Sequence, residues 1–301
     1  MKSFVKRLSD FLNSKRGIPL VLMGPAQFLI FFIAIIPFAL EIYLSFTPWS
    51  PTMGSIFNSP INWGMNYVKL LTSDFRYLAA LGRTALFTVI AVSIELLLGI
   101  GLAALIDKEF PGSGIVFVLL LIPMMFMPVV VGLDFYMMFQ PTGPVNHVLS
   151  IISGHPVKID WLTNEFTLFI ALLITDIWHW TPFMFLITLC GLRAISPNMV
   201  DAAKTLGASE WQIFRKVKLP MIRNALLIAV AIRALESTKI YDELIMFAAG
   251  RTNYLYENIS IWTYIVNCVQ NQIGYASSGA LIVLLIIAII TFKLILKLLT
   301  R

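Results

Sequence analysis

Long apolar stretches separated by polar segments organise the whole chain. They fall at 18–46, 78–106, 115–139, 166–192, 224–247 and 275–299, each close to or above the ~20 residues that let a helix cross the hydrocarbon core of a bilayer. The first contains Pro25 and Pro37 and carries Glu41 near its far end. Neighbouring helices can satisfy the carbonyls that a proline frees, so one kinked span is expected here rather than two short pieces. Residues 47–77 read as a polar connection with Trp49, Trp63 and Tyr67 at interface-like positions. Residues 107–114 read as a tight turn, and Gly143, Pro144, His147, Gly154 and His155 mark the loop between the third and fourth spans.

One long polar island interrupts the second half, at 201–220. Ser196 followed by Pro197 has the chemistry of an N-cap and a first helical residue, which predicts a helix over 197–206. Gly207 suits the left-handed conformation that closes a helix, and Ser209 with Gln212 three residues on reads as a capping box for a second one. That second helix is expected to stop near Lys218, because the residue before Pro220 is pushed out of the helical region. Ile213, Phe214 and Val217 give it an apolar side, while Arg215, Lys216 and Lys218 stay polar. The spacing alone fits either a helical elbow with a task or an ordinary loop between two spans.

Composition sharpens this to a polytopic membrane protein. Hydrophobic residues make up 58%, charged residues only 13%, and mean hydropathy is +0.85, against roughly 25% charged in a soluble domain. The fold class expected is all-α, with a tail at 1–17 and a six-helix domain at 18–301 that includes a loop at 193–223. The apolar run behind the basic N-terminus is too long for a signal peptide and lacks a small-residue cleavage site, so an uncleaved first span is expected. Five Lys/Arg lie in the N-terminal tail, six between Arg193 and Arg223 and three near the C-terminal end, against two, one and one in the opposite loops. The positive-inside rule then puts both termini and the island in the cytoplasm. The net charge of +6 comes with no dense basic run, so nucleic acid is not an expected partner. Cys190 and Cys268 sit in or beside apolar segments and read as buried small residues.

No G-x-x-x-x-G-K-[ST] occurs, so no phosphate cradle for ATP is expected in this chain. Gly99-Ile-Gly101 has no strand before it and reads as a helix-packing site. His147, His155 and His179 are scattered, and no metal-ligand spacing or nucleophile arrangement appears. The fifth stretch is unusual: Arg233, Glu236, Lys239, Asp242 and Glu243 recur at mostly three- and four-residue steps, which would set opposite charges side by side on a helix. Charge inside a bilayer must face protein or water rather than lipid. Two readings stay open: ion pairs that fix packing, or a hydrophilic wall of a path through the bundle with Tyr241, Trp178 or Trp180 offering rings for a ligand to stack on. Glu41, Glu95, Asp134 and Asp176 are further intramembrane acids, and Arg83 reads as the nearest unpaired base.

The island also carries a resemblance. Asp201-Ala202-Ala203, then Gly207, then an ending at Val217, Leu219 and Pro220, resembles the "EAA" loop of the membrane subunits of binding-protein-dependent ABC importers. Asp201 stands where that family usually has Glu, and Lys204-Thr205-Leu206 lacks the acid that sugar permeases often carry before the glycine. Asn66-Tyr67, Gly143 to Asn146, Pro182-Phe183 and Gly274-Tyr275-Ala276-Ser277 resemble the carbohydrate branch, the maltose-type permeases. Ala249-Gly250-Arg251 departs from that branch's Gly-Gly-Pro. The resemblance implies a non-enzymatic permease subunit in a bacterial inner membrane, moving a sugar, with an oligosaccharide as the expected cargo. It also implies a second permease, two ATP-binding subunits that use ATP and Mg, an extracytoplasmic binding protein, and coupling through Asp201, Ala202, Ala203, Gly207, Leu219 and Pro220. The readings from other classes are an ion-coupled carrier or channel and a membrane scaffold without a path.

Overall fold

Every peptide group that lies in hydrocarbon must find its partner within the protein, and a helix pairs its own. A computed structural model describes residues 17–108, 110–248 and 256–299, and helix is the regular structure throughout them. Most of the basic N-terminal tail, Glu109, the Ala249-Gly250-Arg251 departure and Arg301 lie outside the described residues. Helix α1 (Gly17–Ile30) runs through a π turn (Phe31–Ile35) into α2 (Ile36–Ser45). The Ile36 amide reaches back to the Phe31 carbonyl, a wider turn that accommodates Pro37, which has no amide of its own. The next helices are α3 (Met65–Thr72), α4 (Phe75–Ile106), α5 (Ser113–Leu121), α6 (Pro128–Met138), α7 (Pro144–Ser153) and α8 (Glu165–Arg193). Then come α9 (Pro197–Thr205), α10 (Glu210–Ile213), α11 (Leu219–Thr238), α12 (Asp242–Ala248), α13 (Ile259–Tyr264) and α14 (Ile273–Leu299).

Among the described residues, four helices are long and apolar enough to cross a membrane: Leu22–Ser45, Phe75–Ile106, Glu165–Arg193 and Ile273–Lys293. The third and fifth apolar stretches, expected as single spans, are broken. Pro123 and Pro128 divide the third into α5, a short turn (Pro123–Met125) and α6, with Phe126 and Met127 in extended conformation as residues before and near a proline tend to be. The fifth breaks at Lys239, so Asp242 and Glu243 stand on a different helix from Arg233 and Glu236. The carbonyls freed there are taken by the chain that follows: Asn258 Nδ2 donates to the Ile240 carbonyl at 2.6 Å and Ser260 Oγ to that of Thr238 at 3.3 Å. Helices α3 and α7 occupy stretches read from sequence as loops, and α13 was not expected at all.

By contact density the chain divides into Met1–Ser73 with Ile265–Val283, and Asp74–Tyr264 with Leu284–Arg301. In the first unit the end of α2 is closed by distant residues. Asn66 Nδ2 donates to the carbonyls of Ser45 and Thr47 at 3.0 and 2.9 Å, the Tyr67 hydroxyl meets Ser45 Oγ at 2.6 Å, and Ser278 Oγ donates to the Ser45 carbonyl at 2.8 Å. A Cβ on Gly274 would collide with the Thr47 carbonyl, so glycine is required at this approach. Asn66-Tyr67 and the Gly274 segment, singled out separately in the sequence, are thus two parts of one joint.

In the second unit α4 and α8 lie side by side and α11 packs on both. Their seam is filled by Val92, Ala103, Ile106, Met184, Phe185, Leu189, Leu192, Ile222 and Ala229. A Cβ on Gly99 would stand 2.6 Å from that of Met184, so Gly99 sets the helix spacing, whereas nothing approaches Gly101. Cys190 and Cys268 are exposed, contrary to expectation, since an apolar setting in a membrane chain need not mean burial within the same chain.

Candidate functional site

The elbow is built almost entirely from its own local chemistry. Ser196 has the extended backbone of an N-cap and Pro197 opens α9, although the Ser196 side chain makes no capping bond. At the other end Gly207 takes φ +79°, its amide bonds the Lys204 carbonyl at 2.9 Å and the Ala208 amide bonds that of Ala203 at 3.1 Å. This pair of bonds is a Schellman closure, which the missing Cβ of glycine permits. Ser209 and Gln212 then form the full capping box, with the Ser209 amide on Gln212 Oε1 at 2.8 Å and the Gln212 amide on Ser209 Oγ at 3.3 Å.

The second elbow helix does not stop at Lys218. It passes through a π turn (Phe214–Lys218) straight into α11, because the wider turn tolerates Pro220 while the Leu219 amide still bonds the Phe214 carbonyl. Leu219 and Pro220 are therefore the joint between elbow and span. Asp201, Ala202 and Gly207 are exposed and Ala203 half-buried, with Met199, Leu206 and Trp211 also open to solvent. Leu206, at 88% exposure, leaves the free side of the elbow partly apolar, while Trp211, 66% exposed, borders a recess on the inner side. That side is tied to the end of α4: Lys218 Nζ lies 2.5 Å from Asp107 and Lys108 Nζ 3.4 Å from Glu210, around the recess of about 210 Å³.

The charges of the fifth stretch separate into two sets. Arg233 is 1% exposed and donates from Nε and Nη2 to both oxygens of Glu95 at 2.8 and 2.9 Å, and from Nη2 to Asp176 as well. Its guanidinium lies 4.8 Å from the ring centre of Trp180. The partners come from α4 and α8, not from Glu236 one turn along, so this set is an interhelical ion cluster sealed from solvent. Glu236 instead pairs with Lys239 at 2.8 Å, with Lys239 65% exposed. Tyr241 packs on Tyr264 at 5.5 Å and Asp242 is half-buried at the start of α12. Trp178 and Trp180 point to different surroundings: Trp178 stacks near Phe126 and Phe135, and lines an apolar recess of about 520 Å³ with Thr181 as its polar edge. The proposed path residues are thus not gathered into one pocket. Arg83, read as unpaired, holds Glu165 at 2.8 Å. Asp134 is exposed and pairs with no base in the cluster, while Glu95 and Asp176 proved to be the partners that Arg233 needed.

The described residues thus define a helical membrane protein with broken spans and a self-capped polar elbow. Residues 95–301 match the family described as the binding-protein-dependent transport system inner membrane component. The chain is 32% identical over 241 residues to a probable ABC transporter permease protein of Sinorhizobium fredii, covering 80% of this chain and 76% of that one. It is 27% identical to the trehalose/maltose transport system permease protein MalF of Thermococcus litoralis, over 76% of each chain. The trehalose transport system permease protein SugA of Mycobacterium tuberculosis matches at 27% over 93% of this chain and 88% of that one. Among solved structures, a bacterial ABC transporter involved in the import of the acidic polysaccharide alginate has the same fold, with a TM-score of 0.79, 19% identity and 96% of both chains covered. The chain belongs to the binding-protein-dependent transport system inner membrane component family. It is a multi-pass inner-membrane permease subunit of an ABC importer, without catalytic activity of its own, and ATP hydrolysis resides in a separate subunit. Membership leaves the ion-coupled carrier and the pathless scaffold without support.

Proposed function

We propose that this chain is one of two permease subunits of an importer that takes an oligosaccharide from an extracytoplasmic binding protein into the cytoplasm. The observation that carries the coupling part is the elbow: two helices closed by a Schellman turn and a capping box, with Asp201, Ala202 and neighbouring apolar side chains exposed on the free side. In this reading the chain crosses the membrane six times, with both termini cytoplasmic, and α5 with α6 and α11 with α12 form broken spans. Two ATPase subunits lie below, and α9 docks on one of them. Closure of the ATPase pair displaces α9, and the joint at Leu219 and Pro220 passes the movement to α11. Small side chains at 202 and 203 let the docking be close. The sugar assignment draws support from relatives named for trehalose, maltose and lactose transport. The exposed Lys239 and Trp178 and the half-buried Glu236, Tyr241 and Asp242 line the path in this reading, while Arg233 and Trp180 hold it together from behind.

The test is substrate-stimulated ATP hydrolysis and uptake by the assembled complex carrying Gly207→Pro or Ala203→Glu. Both are expected to lose stimulation while the complex still assembles. Normal stimulation and uptake in either variant would remove the coupling role, and binding measurements on the cognate binding protein decide the sugar class independently.

A further inference from the structure

His179 on α8 is buried, with its side chain 3% exposed, and each of its ring nitrogens faces an acceptor. Nε2 lies 3.2 Å from the carbonyl of Phe126, in the break between α5 and α6. Nδ1 has no hydrogen-bond partner, and the nearest carboxylate oxygen, Glu243 Oε1 on α12, is 3.6 Å away. A carbonyl can only accept, and so can an ionised carboxylate, whereas a neutral imidazole has a single N–H to give. One of the two contacts is therefore left lone pair against lone pair unless a further proton is present. That proton either makes an imidazolium that donates both ways or protonates Glu243 so that the acid donates to Nδ1.

The surroundings call for the same proton. Glu243 is 4% exposed and Glu95 and Asp176 are fully or almost fully buried, and among the described residues Arg233 from α11 is the permanent cation that pairs with them. Arg233 is already committed to Glu95 and Asp176. The groups facing the His179 and Glu243 pair are Asp176 from its own helix, Asp242 beside Glu243 on α12, and Arg233 with Glu95 behind Asp176. The α5–α6 break contributes a carbonyl and no charge. Three buried carboxylates against one guanidinium in a membrane segment is an unfavourable count. Among the described residues, no trio of His, Cys, Asp and Glu side chains could hold a metal ion to balance it.

We propose that His179 and Glu243 form a proton-binding site in which one proton is shared between Nδ1 and the Glu243 carboxyl. The site has a mechanical position. A Cβ on Gly132 would stand 2.8 Å from Glu243 Cα, so α6 and α12 touch backbone to backbone there, and His179 reaches both broken spans at once. With the proton in place the two breaks are clasped to α8. Without it, Glu243 adds an uncompensated charge next to Asp176 and the clasp opens.

The test reads protonation and not transport, so its result is independent of which substrate is carried. Infrared and 15N-histidine difference spectra are recorded at neutral pH on the assembled complex, wild type against Glu243→Gln, whose amide is a neutral donor with the shape of a protonated acid. Loss of a protonated-carboxyl band, or loss of an ionised carboxylate together with an imidazolium signal, supports the site. Loss of an ionised carboxylate beside a neutral, singly protonated histidine overturns it, and so does failure of the Glu243→Gln complex to assemble. As a second readout, Glu243→Ala should yield about tenfold less assembled complex than Glu243→Gln, because it leaves Nδ1 buried without a donor. Equal yields would overturn the proposal as well.

Discussion

Arg233→Met is the most informative single change in this molecule. It keeps the length and apolar stem of the side chain and removes only the charge and its donors. The structure gives the arginine three hydrogen bonds to two buried carboxylates and a ring contact with Trp180, with 1% of the residue exposed. Removing one partner of a buried ion pair costs about 3–5 kcal/mol, mainly because the other charge is left stranded. At about 1.4 kcal/mol per tenfold, the folded population should drop by roughly two to three and a half orders of magnitude. The assay is the fraction of this chain recovered in the assembled complex after detergent extraction over a temperature ramp. The control is Arg233→Met combined with Glu95→Gln and Asp176→Asn, which takes the stranded charges away and should restore most of the loss. Arg233→Lys should fall between, since an ammonium cannot reproduce the two-pronged contact with Glu95. If Arg233→Met alone melts with the wild type, or if the triple variant is no better than the single one, the ion cluster is not what holds α4, α8 and α11 together.

Two further outcomes follow from the joints. Lys218→Glu should uncouple substrate delivery from ATP hydrolysis by setting two carboxylates against each other at the α4 end, and adding Asp107→Lys should restore coupling by reversing the pair; uptake per ATP hydrolysed is the readout. Asn258→Leu should destabilise the α11–α12 break by about 1–3 kcal/mol, since the Ile240 carbonyl and the Ile261 amide both lose their buried partner; faster proteolysis at 239–241 in the purified complex is the measurement.

The elbow was legible because its signals are local. Gly207 and the Ser209 and Gln212 pair dictate their own hydrogen bonds within a few residues, and the structure has them as expected. The straight spans were legible for the same reason, since hydropathy acts along one helix. What failed depended on distant partners. Pro123 and Pro128 broke a span that a proline such as Pro182, inside α8, leaves continuous, and at the break the Phe126 carbonyl meets His179 from α8. The charges from Arg233 to Glu243 looked like an intrahelical ladder because their spacing suits one, yet only Glu236 and Lys239 use it. Arg233 is satisfied from 138 and 57 residues away in sequence, a relation no local spacing encodes. Asn258 escaped notice because a lone asparagine in a loop carries no pattern, and its importance appears only when the unpaired carbonyl of Ile240 is found beside it.

The π turn at Phe214–Lys218 joins the elbow to α11 without a hinge, and it holds more residues per turn than the helices on either side. Each residue of an α-helix advances about 100° around the axis and 1.5 Å along it. The widened turn therefore sets the rotational phase between the elbow and the side of α11 that bears Arg233. Because this turn holds one residue more than an α turn, removing one residue would return it to an ordinary α turn with little change of phase, whereas removing two would swing the guanidinium through about a quarter of a circle, away from Glu95 and Asp176. In the coupling role proposed above, alignment is thus a matter of register: a change of two residues in this one turn alters how the elbow and α11 face each other, where a substitution elsewhere along α11 alters only how well one side chain fits.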